Sequence, residues 1–399
     1  MIDLAFYYPA QNRWSVNVLA GALEAYGPGL RAVFPPTPAE LASALGSARH
    51  GAASAAAFSL FSCQLGAAAA LVEKLRKLSP DTVFIAGGPH PTAAPAETLA
   101  AGFDYVITGE GEVALLALLR SLDERRPPRR GIIRGAPADL AACPPFSAAY
   151  ELFGPIEITR GCPFACTYCQ TSYIFGAKPR HRPLPGILRA MDAMLSRGMK
   201  EIRFITPDAF AYGSRDGKAL NLPALEEFMR EADALARAKA GRIYVGSFPS
   251  EVRPEHVTPE TLALVKRYGA NRRLVIGAQT ASPRALKAVR RGHGPEEIFE
   301  AARLCREFKI TPYMDFILGL PGENADDEDA SMAMIERLAA QGAMIHTHAF
   351  MPLPGTPLAS EPGATISRRM EKFICGMESR GKAFGKWREQ KEWKRGLVD

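Results

Sequence analysis

The chain has 399 residues, of which 47% are hydrophobic and 23% are charged, with a formal net charge of +7. This length is enough for two or three domains with ordinary hydrophobic cores. No apolar run approaches the roughly 18–20 residues that a membrane helix needs, and the first residues lack the basic-then-apolar pattern of a secretion signal. We therefore expect a cytoplasmic protein without a membrane partner.

Strands and helices alternate over the first 150 residues. Apolar strand patterns occur in "IDLAFYY", "AAAFSLFS", "TVFIAGGPH" and "DYVITGEGE", and helical patterns lie between and after them, as in "GAAAALVEKLRKLSP" and "VALLALLRSL". This alternation predicts a Rossmann-like parallel sheet with helices on both faces. Ligands of such sheets bind beyond the carboxyl ends of the strands, where "GGPH" (87–90) and "GEGE" (109–112) fall.

The segment 123–146 is rich in proline, glycine and arginine, and we interpret it as a linker at the end of a first domain, 1–150. The βα alternation then resumes, with six strand-to-loop junctions in about 200 residues, which predicts an open or partial (β/α)6 barrel over 151–360. Residues 361–399 are predicted to be a short basic helical extension. From Ile366 to Asp399 there are ten Lys or Arg and five Asp or Glu, which favours a solvated helical face over a nucleic-acid surface.

Three cysteines stand close together in "TRGCPFACTYCQ" (159–170), at Cys162, Cys166 and Cys169. A closed zinc site usually takes four protein ligands, and no second C-x2-C pair follows. A cluster with four cysteine ligands would need Cys143, which lies in the predicted linker. Three thiolates on a four-iron cluster leave one iron open, and an open coordination position is typical of a reactive site.

The C-x3-C-x2-C spacing, with Tyr168 before the last cysteine and a barrel strand before the first, resembles the radical S-adenosylmethionine (SAM) superfamily. This resemblance implies a [4Fe-4S] cluster on Cys162, Cys166 and Cys169. It implies further that SAM chelates the open iron and that an electron from the cluster cleaves SAM to methionine and a 5′-deoxyadenosyl radical. An external electron donor of flavodoxin or ferredoxin type is then required.

The resemblance also assigns SAM contacts to the loops after the later strands. In "ITPDAF" (205–210) the glycines of the family's glycine-glycine-glutamate motif are absent, so Thr206 and Asp208 supply the polar atoms. The segments "GSFPSEVRPE" (246–255), "LVIGAQTAS" (274–282) and "DFILGLPGE" (315–323) resemble the next three SAM-binding segments. The implied SAM contacts are Tyr168, Thr206, Asp208, Ser247, Glu251, Arg253, Gln279, Ile317 and Leu318.

The segment from about 55 to 120 resembles the cobalamin-binding domain that precedes many radical SAM barrels. Glycine turns allow main-chain amides to approach a large flat ligand closely. The implied cobalamin contacts are Ser59, Gly87, Gly88, Pro89, His90, Thr108, Gly109, Glu110 and Gly111. The D-x-H-x-x-G motif that supplies a histidine to cobalt is missing, so we expect His90 to be an ordinary loop histidine.

Together these resemblances imply a cobalamin-dependent radical SAM enzyme, most simply a C-methyltransferase that acts on an unactivated carbon through the 5′-deoxyadenosyl radical and methylcobalamin. The alternatives are a methylthiotransferase-like enzyme, a cobalamin-dependent rearrangement or cyclisation, and a non-enzymatic iron–sulfur protein that transfers electrons or senses redox state. The substrate stays open between a small molecule and a peptide, and a nucleic acid is not expected. Side chains that could position it or act as acid or base are Tyr173, Tyr212, Tyr313 and His346, of which Tyr313 and His346 are the catalytic candidates.

Overall fold

The computed structural model of the protein describes residues 2–27, 29–47 and 53–398. The chain divides into two units, Met1–Gly154 and Pro155–Asp399. The sequence analysis places the boundary near residue 150.

In the first unit, parallel strands alternate with helices along the chain. Within the described residues, the strands pair in the order β2-β1-β3-β4-β5-β6, and every pair is parallel. The elements are β1 (Ile2–Phe6), α1 (Arg13–Tyr26), β2 (Arg31–Val33), α2 (Pro38–Gly46), β3 (Ala53–Ser59), α3 (Leu65–Leu78), β4 (Val83–Gly87), α4 (Pro89–Ala93), α5 (Pro95–Ala100), β5 (Tyr105–Thr108), α6 (Gly111–Asp123) and β6 (Gly131–Arg134).

The two faces of this sheet are each covered by an apolar layer. Side chains alternate between the faces of a strand, so Leu4 of β1 packs with Leu23 of α1 and Leu119 of α6 on one face. On the other face, Ala56 and Phe58 of β3 pack with residues of α2 and α3. Helices on both faces bury the central strands of the sheet, which leaves the ends of these strands as the place for a ligand.

Strand β6 lies inside the segment that the sequence analysis interprets as a linker. It pairs with β5 from Tyr105 opposite Gly131 to Thr108 opposite Arg134. The strand is short, stands at the sheet edge and has arginine-rich neighbours, features that protect an edge from further pairing and also hide it from pattern analysis. Strand β2 and helix α2 were likewise not predicted.

The second unit repeats the strand-then-helix pattern. Its elements are β7 (Ile156–Glu157), β8 (Thr159–Arg160), α7 (Thr171–Phe175), β9 (Arg180–His181), α8 (Leu184–Ser196), β10 (Glu201–Ile205), α9 (Leu222–Ala238), β11 (Arg242–Tyr244), α10 (Pro259–Tyr268), β12 (Arg273–Gln279), α11 (Pro283–Ala288), α12 (Pro295–Glu307), β13 (Thr311–Leu318), α13 (Ala325–Ala340), β14 (Met344–Ala349), α14 (Arg368–Ser379), β15 (Ala383–Gly385) and α15 (Trp387–Val398).

Seven described strands of this unit form two parallel groups that meet, and β8 and β9 form a separate pair. One group has the order β11-β10-β7 and the other β12-β13-β14-β15. They are joined by a parallel bridge between Val252 and Ile276 and by the Val275 amide, which donates to the Gly246 carbonyl at 2.9 Å. The six predicted strand-to-loop junctions are all present, so their loops gather at the carboxyl ends of the strands.

The carboxyl-terminal segment is helical, as predicted, but it also contains a strand that was not predicted. Strand β15 pairs in parallel with β14, with Ile345 opposite Ala383 and Thr347 opposite Gly385. Trp387 at the start of α15 is only 3% exposed. The segment is therefore part of the barrel sheet, whereas the sequence analysis expects an added extension.

Among the described residues, no helix combines the length and the apolar character needed to cross a membrane.

Candidate active site

The three clustered cysteines lie on a loop whose two ends are held together. Strands β8 and β9, which flank this loop, pair antiparallel. Within it, the Cys162 amide donates to the Gly176 carbonyl at 3.1 Å and the Cys169 amide to the Cys166 carbonyl at 3.0 Å. Gly161 has a φ of +89°, and a Cβ there would lie 2.5 Å from the Lys178 carbonyl oxygen. A glycine before the first cysteine is therefore required by the closed loop.

All three cysteine side chains line one cavity of about 370 Å³. The other cysteines of this unit do not line it: Cys305 is buried on α12, and Cys375 is exposed on α14, within the part of the chain that the structure describes. The remaining walls come from the loops after the barrel strands and from α15. They comprise Phe164, Tyr168, Thr171, Ser172, Thr206, Pro207, Asp208, Pro249, Glu251, Arg253, Gln279, Arg291, Asp315, Ile317, His348, Ala349, Phe350, Met351, Leu353 and Gln390.

The environment of the thiols suits a bound cationic cluster. Burial raises the pKa of Cys162, and burial also raises the pKa of Cys169 despite its hydrogen bond to Thr171 at 3.3 Å. The charges of neighbouring thiolates raise both values further. Iron ions supply the positive charge that three close thiolates need, and thiolates are the ligands that iron–sulfur clusters prefer. The donor set therefore fits the cluster that the cysteine spacing implies.

The structure brings most of the predicted SAM residues to this same cavity. Seven of them line it, and two do not. Ser247 lies in a different cavity, where its hydroxyl accepts from Arg203 Nη1 at 3.1 Å. Leu318 is buried, and its carbonyl accepts from the Phe350 amide at 2.8 Å. The seven that line the cavity are Tyr168, Thr206, Asp208, Glu251, Arg253, Gln279 and Ile317.

Asp208 is held in place by three groups. The Thr206 hydroxyl donates to the Asp208 main-chain carbonyl at 3.0 Å, and the Phe210 amide donates to Asp208 Oδ1 at 3.2 Å. His256 Nδ1 donates to Asp208 Oδ2. Because Asp208 and Thr206 are both buried, the loop after β10 presents an ordered pair of polar groups without the glycines of the family motif.

Glu251 and Arg291 form a second charged pair in the wall. Their side chains are 3.7 Å apart, and Arg291 also donates to the Gly277 carbonyl at 2.8 Å and approaches the Cys166 sulfur to 3.8 Å. Burial raises the pKa of Glu251 to about 7, with Arg291 acting against the shift and Asp315 adding to it. A carboxyl group with a pKa near neutrality in a cavity is typical of a functional site.

Backbone geometry at Gln279 is unusual. Its φ is +71°, in the left-handed region, and the pairing of β12 with β13 shifts register between Gly277 and Gln279. Left-handed backbone is unfavourable for a residue with a side chain and occurs often at functional sites. The bulge directs the buried Gln279 side chain into the cavity wall.

The predicted acid, base and positioning residues are dispersed. Tyr313 lies in the same cavity as Ser247, and its ring contacts Phe384 and the Arg273 guanidinium. Tyr212 is buried and donates to the Arg182 carbonyl at 2.9 Å. Tyr173 is 41% exposed. His346 contacts Asp315, which does line the cysteine cavity.

Several cavity residues were missed by sequence reasoning, namely Arg291, Asp315, His348 and Gln390, together with His256 behind the wall. The H-x-H pattern of 346–348 on a predicted strand was a usable signal, because alternate strand residues face the same side. Arg291 follows a second arginine and precedes Gly-His in a loop, which was a weaker signal. No sequence signal pointed to Gln390, because the helix that carries it is placed by the pairing of β15.

In the first unit, the predicted cobalamin residues gather at one sheet edge. Ser59, Gly87 and Thr108 end the neighbouring strands β3, β4 and β5. The Leu60 amide donates to the Gly87 carbonyl at 2.9 Å, and the Gly109 amide to Thr92 Oγ1 at 3.0 Å. These bonds tie the two glycine turns to one another through β4 and α4.

Gly88 has a φ of +101°, and a Cβ there would lie 2.8 Å from the Ser59 hydroxyl and 3.0 Å from the Leu60 amide. Only glycine fits this close approach. Gly87, Pro89, Gly109 and Gly111 are all partly exposed at the same edge. A glycine-rich edge with little side-chain cover fits a large flat ligand such as cobalamin.

Two of the predicted cobalamin residues have partners within the fold. His90 is 2% exposed, its Nδ1 lies 3.1 Å from the Ser62 hydroxyl, and burial lowers its pKa. Glu110 is also buried, and its carboxylate accepts from the Ala138 amide at 2.9 Å. Both side chains therefore support the edge from inside the fold.

Family comparisons identify both units. A model described as the radical SAM superfamily matches residues 156–335, and a model described as the B12 binding domain matches residues 8–119. Both domains are thus present in the predicted order. They imply a [4Fe-4S] cluster, SAM and cobalamin as cofactors.

Related proteins of known sequence carry two kinds of name. An uncharacterized methyltransferase of Pyrococcus horikoshii is 24% identical over 315 residues, which cover 72% of this chain and 64% of that protein. A tRNA-2-methylthio-N(6)-dimethylallyladenosine synthase of Moorella thermoacetica is 27% identical over 300 residues, which cover 73% of this chain and 64% of that protein. The chain therefore spans less than two thirds of the length of these relatives.

Solved structures share the fold. The methyltransferase TsrM of Kitasatospora setae, with cobalamin and a [4Fe-4S] cluster bound, superposes with a TM-score of 0.71 at 18% identity, over 90% of this chain and 77% of that one. The cobalamin-dependent SAM radical enzyme OxsB gives 0.64 at 15% identity, over 94% of this chain and 55% of that one. The predicted fold class, a parallel-sheet domain followed by a radical SAM barrel, is confirmed.

Proposed function

Because the chain belongs to the radical SAM superfamily and carries a B12-binding domain ahead of its radical SAM domain, we propose that it is a cobalamin-dependent methyltransferase acting on an unactivated carbon. The observation that carries the proposal is the convergence of Cys162, Cys166 and Cys169 on one cavity with polar side chains from the later barrel loops. When bound, the cluster and SAM supply a 5′-deoxyadenosyl radical that takes a hydrogen atom from the substrate, and cobalamin supplies the methyl group.

The protein's own residues bind and orient the cofactors and enclose the reacting atoms. The three thiolates would hold the cluster, and the carboxylate of Asp208 would accept hydrogen bonds from the SAM amino group. Arg291 lies near Cys166 and pairs with Glu251, so the two residues would supply a cation and an acceptor for the polar parts of SAM. Apolar walls at Phe350 and Leu353 limit the access of water to the reacting atoms.

Two alternatives are less well supported. A methylthiotransferase-like enzyme usually carries a second cluster on three more cysteines in its first domain, whereas residues 1–154 contain only Cys63 and Cys143. An electron-transfer or redox-sensing protein does not require a cavity of about 370 Å³, lined in part by charged side chains, beside its cluster. Cobalamin-dependent rearrangement or cyclisation uses the same cofactors, and product analysis separates it from methylation.

The test begins with full-length protein purified without oxygen and reconstituted with iron, sulfide and hydroxocobalamin. We expect one [4Fe-4S] cluster and one cobalamin per chain, and 5′-deoxyadenosine after dithionite and SAM are added. Dithionite replaces the external protein reductant of flavodoxin or ferredoxin type that we propose for the cell. SAM with a deuterated methyl group, incubated with a metabolite extract, is expected to yield a product that carries the label on carbon.

The matched variants are Cys166→Ala and Cys375→Ala. The first is expected to lose the cluster and all deoxyadenosine, because it removes one of three ligands. The second removes an exposed cysteine outside the cavity and is expected to behave as the parent. Deoxyadenosine without bound cobalamin would contradict the role of the first domain. Label transfer as a methylthio group would favour the methylthiotransferase alternative.

A further inference from the structure

Asp315, His346 and His348 form a compact cluster on two neighbouring strands. Asp315 of β13 stands opposite His346 of β14 in the parallel register. His346 and His348 are two residues apart on one strand, so their side chains face the same side. Asp315 Oδ1 lies 3.1 Å from His346 Nδ1, and Asp315 Oδ2 lies 3.9 Å from His348 Nε2. The sheet itself thus brings one carboxylate and two imidazoles together.

These separations match those around a small metal ion. Zinc binds histidine nitrogen and carboxylate oxygen at about 2.0–2.2 Å in tetrahedral geometry, which places neighbouring ligand atoms about 3.4 Å apart. One ligand atom from each of the three residues can be chosen so that all lie within 4.8 Å of one another. Closing the set around a tetrahedral ion requires the longer separations to shorten toward about 3.4 Å.

Groups from the carboxyl-terminal segment hold both rings. Phe384 of β15 stacks on His346 with ring centroids 4.5 Å apart and an angle of 9° between the planes. The carboxamide of Gln390 lies 3.4 Å from His348 Nδ1, and its oxygen accepts from the Ala349 amide at 2.9 Å. With Nδ1 of His348 against Gln390, Nε2 is the nitrogen that faces Asp315. These contacts fix the orientation of both rings. Because the Gln390 nitrogen that faces Nδ1 is a donor, binding of an ion through His348 Nε2 requires the Gln390 carboxamide to turn its oxygen toward Nδ1–H.

The negative charge of Asp315 is also available to a bound cation. In the described part of the chain, the ion-pair partners of Asp315 are these two histidines, and no lysine or arginine forms an ion pair with it. Asp315 and His348 line the cavity of the cysteines. Three protein ligands and a side open to a cavity are the arrangement of a catalytic metal site, whereas structural sites are closed by a fourth protein ligand.

We propose that Asp315, His346 and His348 bind a divalent first-row transition-metal ion such as Zn²⁺. The open coordination position faces the cavity and binds an oxygen or nitrogen atom of the substrate, which it orients toward the reacting carbon. The ion undergoes no redox change in this role. The site is separate from the iron–sulfur cluster, because it shares no ligand with Cys162, Cys166 or Cys169.

The test uses the full chain with these three cysteines changed to alanine, so that iron–sulfur chemistry cannot contribute. The protein is stripped with a chelator and titrated with Co²⁺, which reports tetrahedral nitrogen and oxygen ligands through its visible absorption. We expect saturation at one Co²⁺ per chain and displacement by one equivalent of Zn²⁺. Neither SAM, cobalamin nor reductant is needed, so the result is independent of the proposed methyltransferase activity.

The deciding variants are Asp315→Asn, His346→Gln and His348→Gln, with His181→Gln as the matched control. His181 lies in the same unit and is bonded to Thr159 and Ser214, outside the cluster. Each cluster variant is expected to weaken Co²⁺ binding by at least about 100-fold, because it removes one of three protein ligands. The control is expected to bind as the parent does.

A cooperative thermal melt without Co²⁺ checks that each variant is folded. With Co²⁺, the melting temperature is expected to rise for the parent and for His181→Gln but not for the cluster variants, since an ion that binds only the native state stabilises it. The proposal is overturned if the parent does not reach one equivalent, or if the three cluster variants bind as tightly as His181→Gln. It is also overturned if the visible bands indicate sulfur ligands, which would assign the ion to the remaining cysteines.

Discussion

His256 donates a hydrogen bond from Nδ1 to the carboxylate of Asp208, and its Nε2 lies 2.8 Å from the main-chain carbonyl oxygen of Lys218. Both partners can only accept, so both ring nitrogens carry protons and the ring is an imidazolium. Burial alone lowers the pKa of His256, but the hydrogen bond and charge of Asp208, with a contribution from Glu255, outweigh it and raise the pKa. Asp208, which lines the cysteine cavity, is therefore paired with a buried cation.

The pair of Asp208 and His256 predicts that the free energy of unfolding depends on pH. Because the pKa of His256 is higher in the folded than in the unfolded state, its stabilising effect is complete below the unfolded value of about 6.5 and is lost as pH rises through the folded value. His256→Gln is expected to lower the free energy of unfolding by about 1.5–3 kcal/mol at acidic to neutral pH, and by less at alkaline pH. Urea unfolding between about pH 6 and about pH 9 measures this.

His181→Gln is the control for that experiment. Burial lowers the pKa of His181, so its effect on stability has the opposite sign, and protonation at low pH destabilises the fold. If the two variants show the same pH dependence, His256 is not held as an imidazolium by Asp208.

Glu251 predicts a second pH effect. Its pKa of about 7 lies above the unfolded value, so the protein without cofactors loses stability as pH rises from about 4.5 through 7. Glu251→Gln cannot ionise and is expected to show a smaller fall, by about 2–4 °C in melting temperature. Scanning calorimetry from about pH 5 to about pH 8 compares the two proteins. An identical fall in both would show that Glu251 ionises as an ordinary surface carboxylate does.

The left-handed backbone of Gln279 predicts that substitutions there affect stability and SAM binding separately. Gln279→Gly and Gln279→Ala remove the same functional group, but only glycine adopts a φ of +71° without strain. We expect the glycine variant to be more stable than the alanine variant by about 1 kcal/mol. Both are expected to bind SAM more weakly than the parent by the same factor, about 10-fold. Equal stabilities, or SAM affinities that differ between the variants, would contradict this account.

Two adjacent glycines in the first unit, Gly87 and Gly88, provide a matched pair of variants. Gly88→Ala places a Cβ 2.8 Å from the Ser59 hydroxyl in a conformation that suits glycine alone, and it is expected to cost about 1–3 kcal/mol. Gly87→Ala meets its nearest neighbour, the Ile107 carbonyl oxygen, at 3.6 Å and is expected to fold normally. We expect Gly87→Ala nevertheless to reduce the hydroxocobalamin retained after gel filtration. Full retention would mean that cobalamin does not approach this turn.

The cofactors and the order of the two domains could be predicted from the sequence because their signals are local. The cysteine spacing lies within eight residues, and each glycine turn follows directly on the strand that it ends. Parallel strands place their carboxyl ends at one edge, so the loops after β10, β12 and β13 could be assigned to one site before any contact was known.

Only the tertiary structure determines which side chains meet at this site. Asp208 and His256 are 48 residues apart, and the Ala349 amide and Gln390 are 41 apart. Such contacts depend on which strands pair and on where bulges fall, and neither is encoded in spacing along the chain. A strand as short as β15 is recognised only when β14 lies beside it, because its pairing and not its own propensity stabilises it. For the same reason Ser247 follows its strand as expected, yet lies in a different cavity from the cysteines.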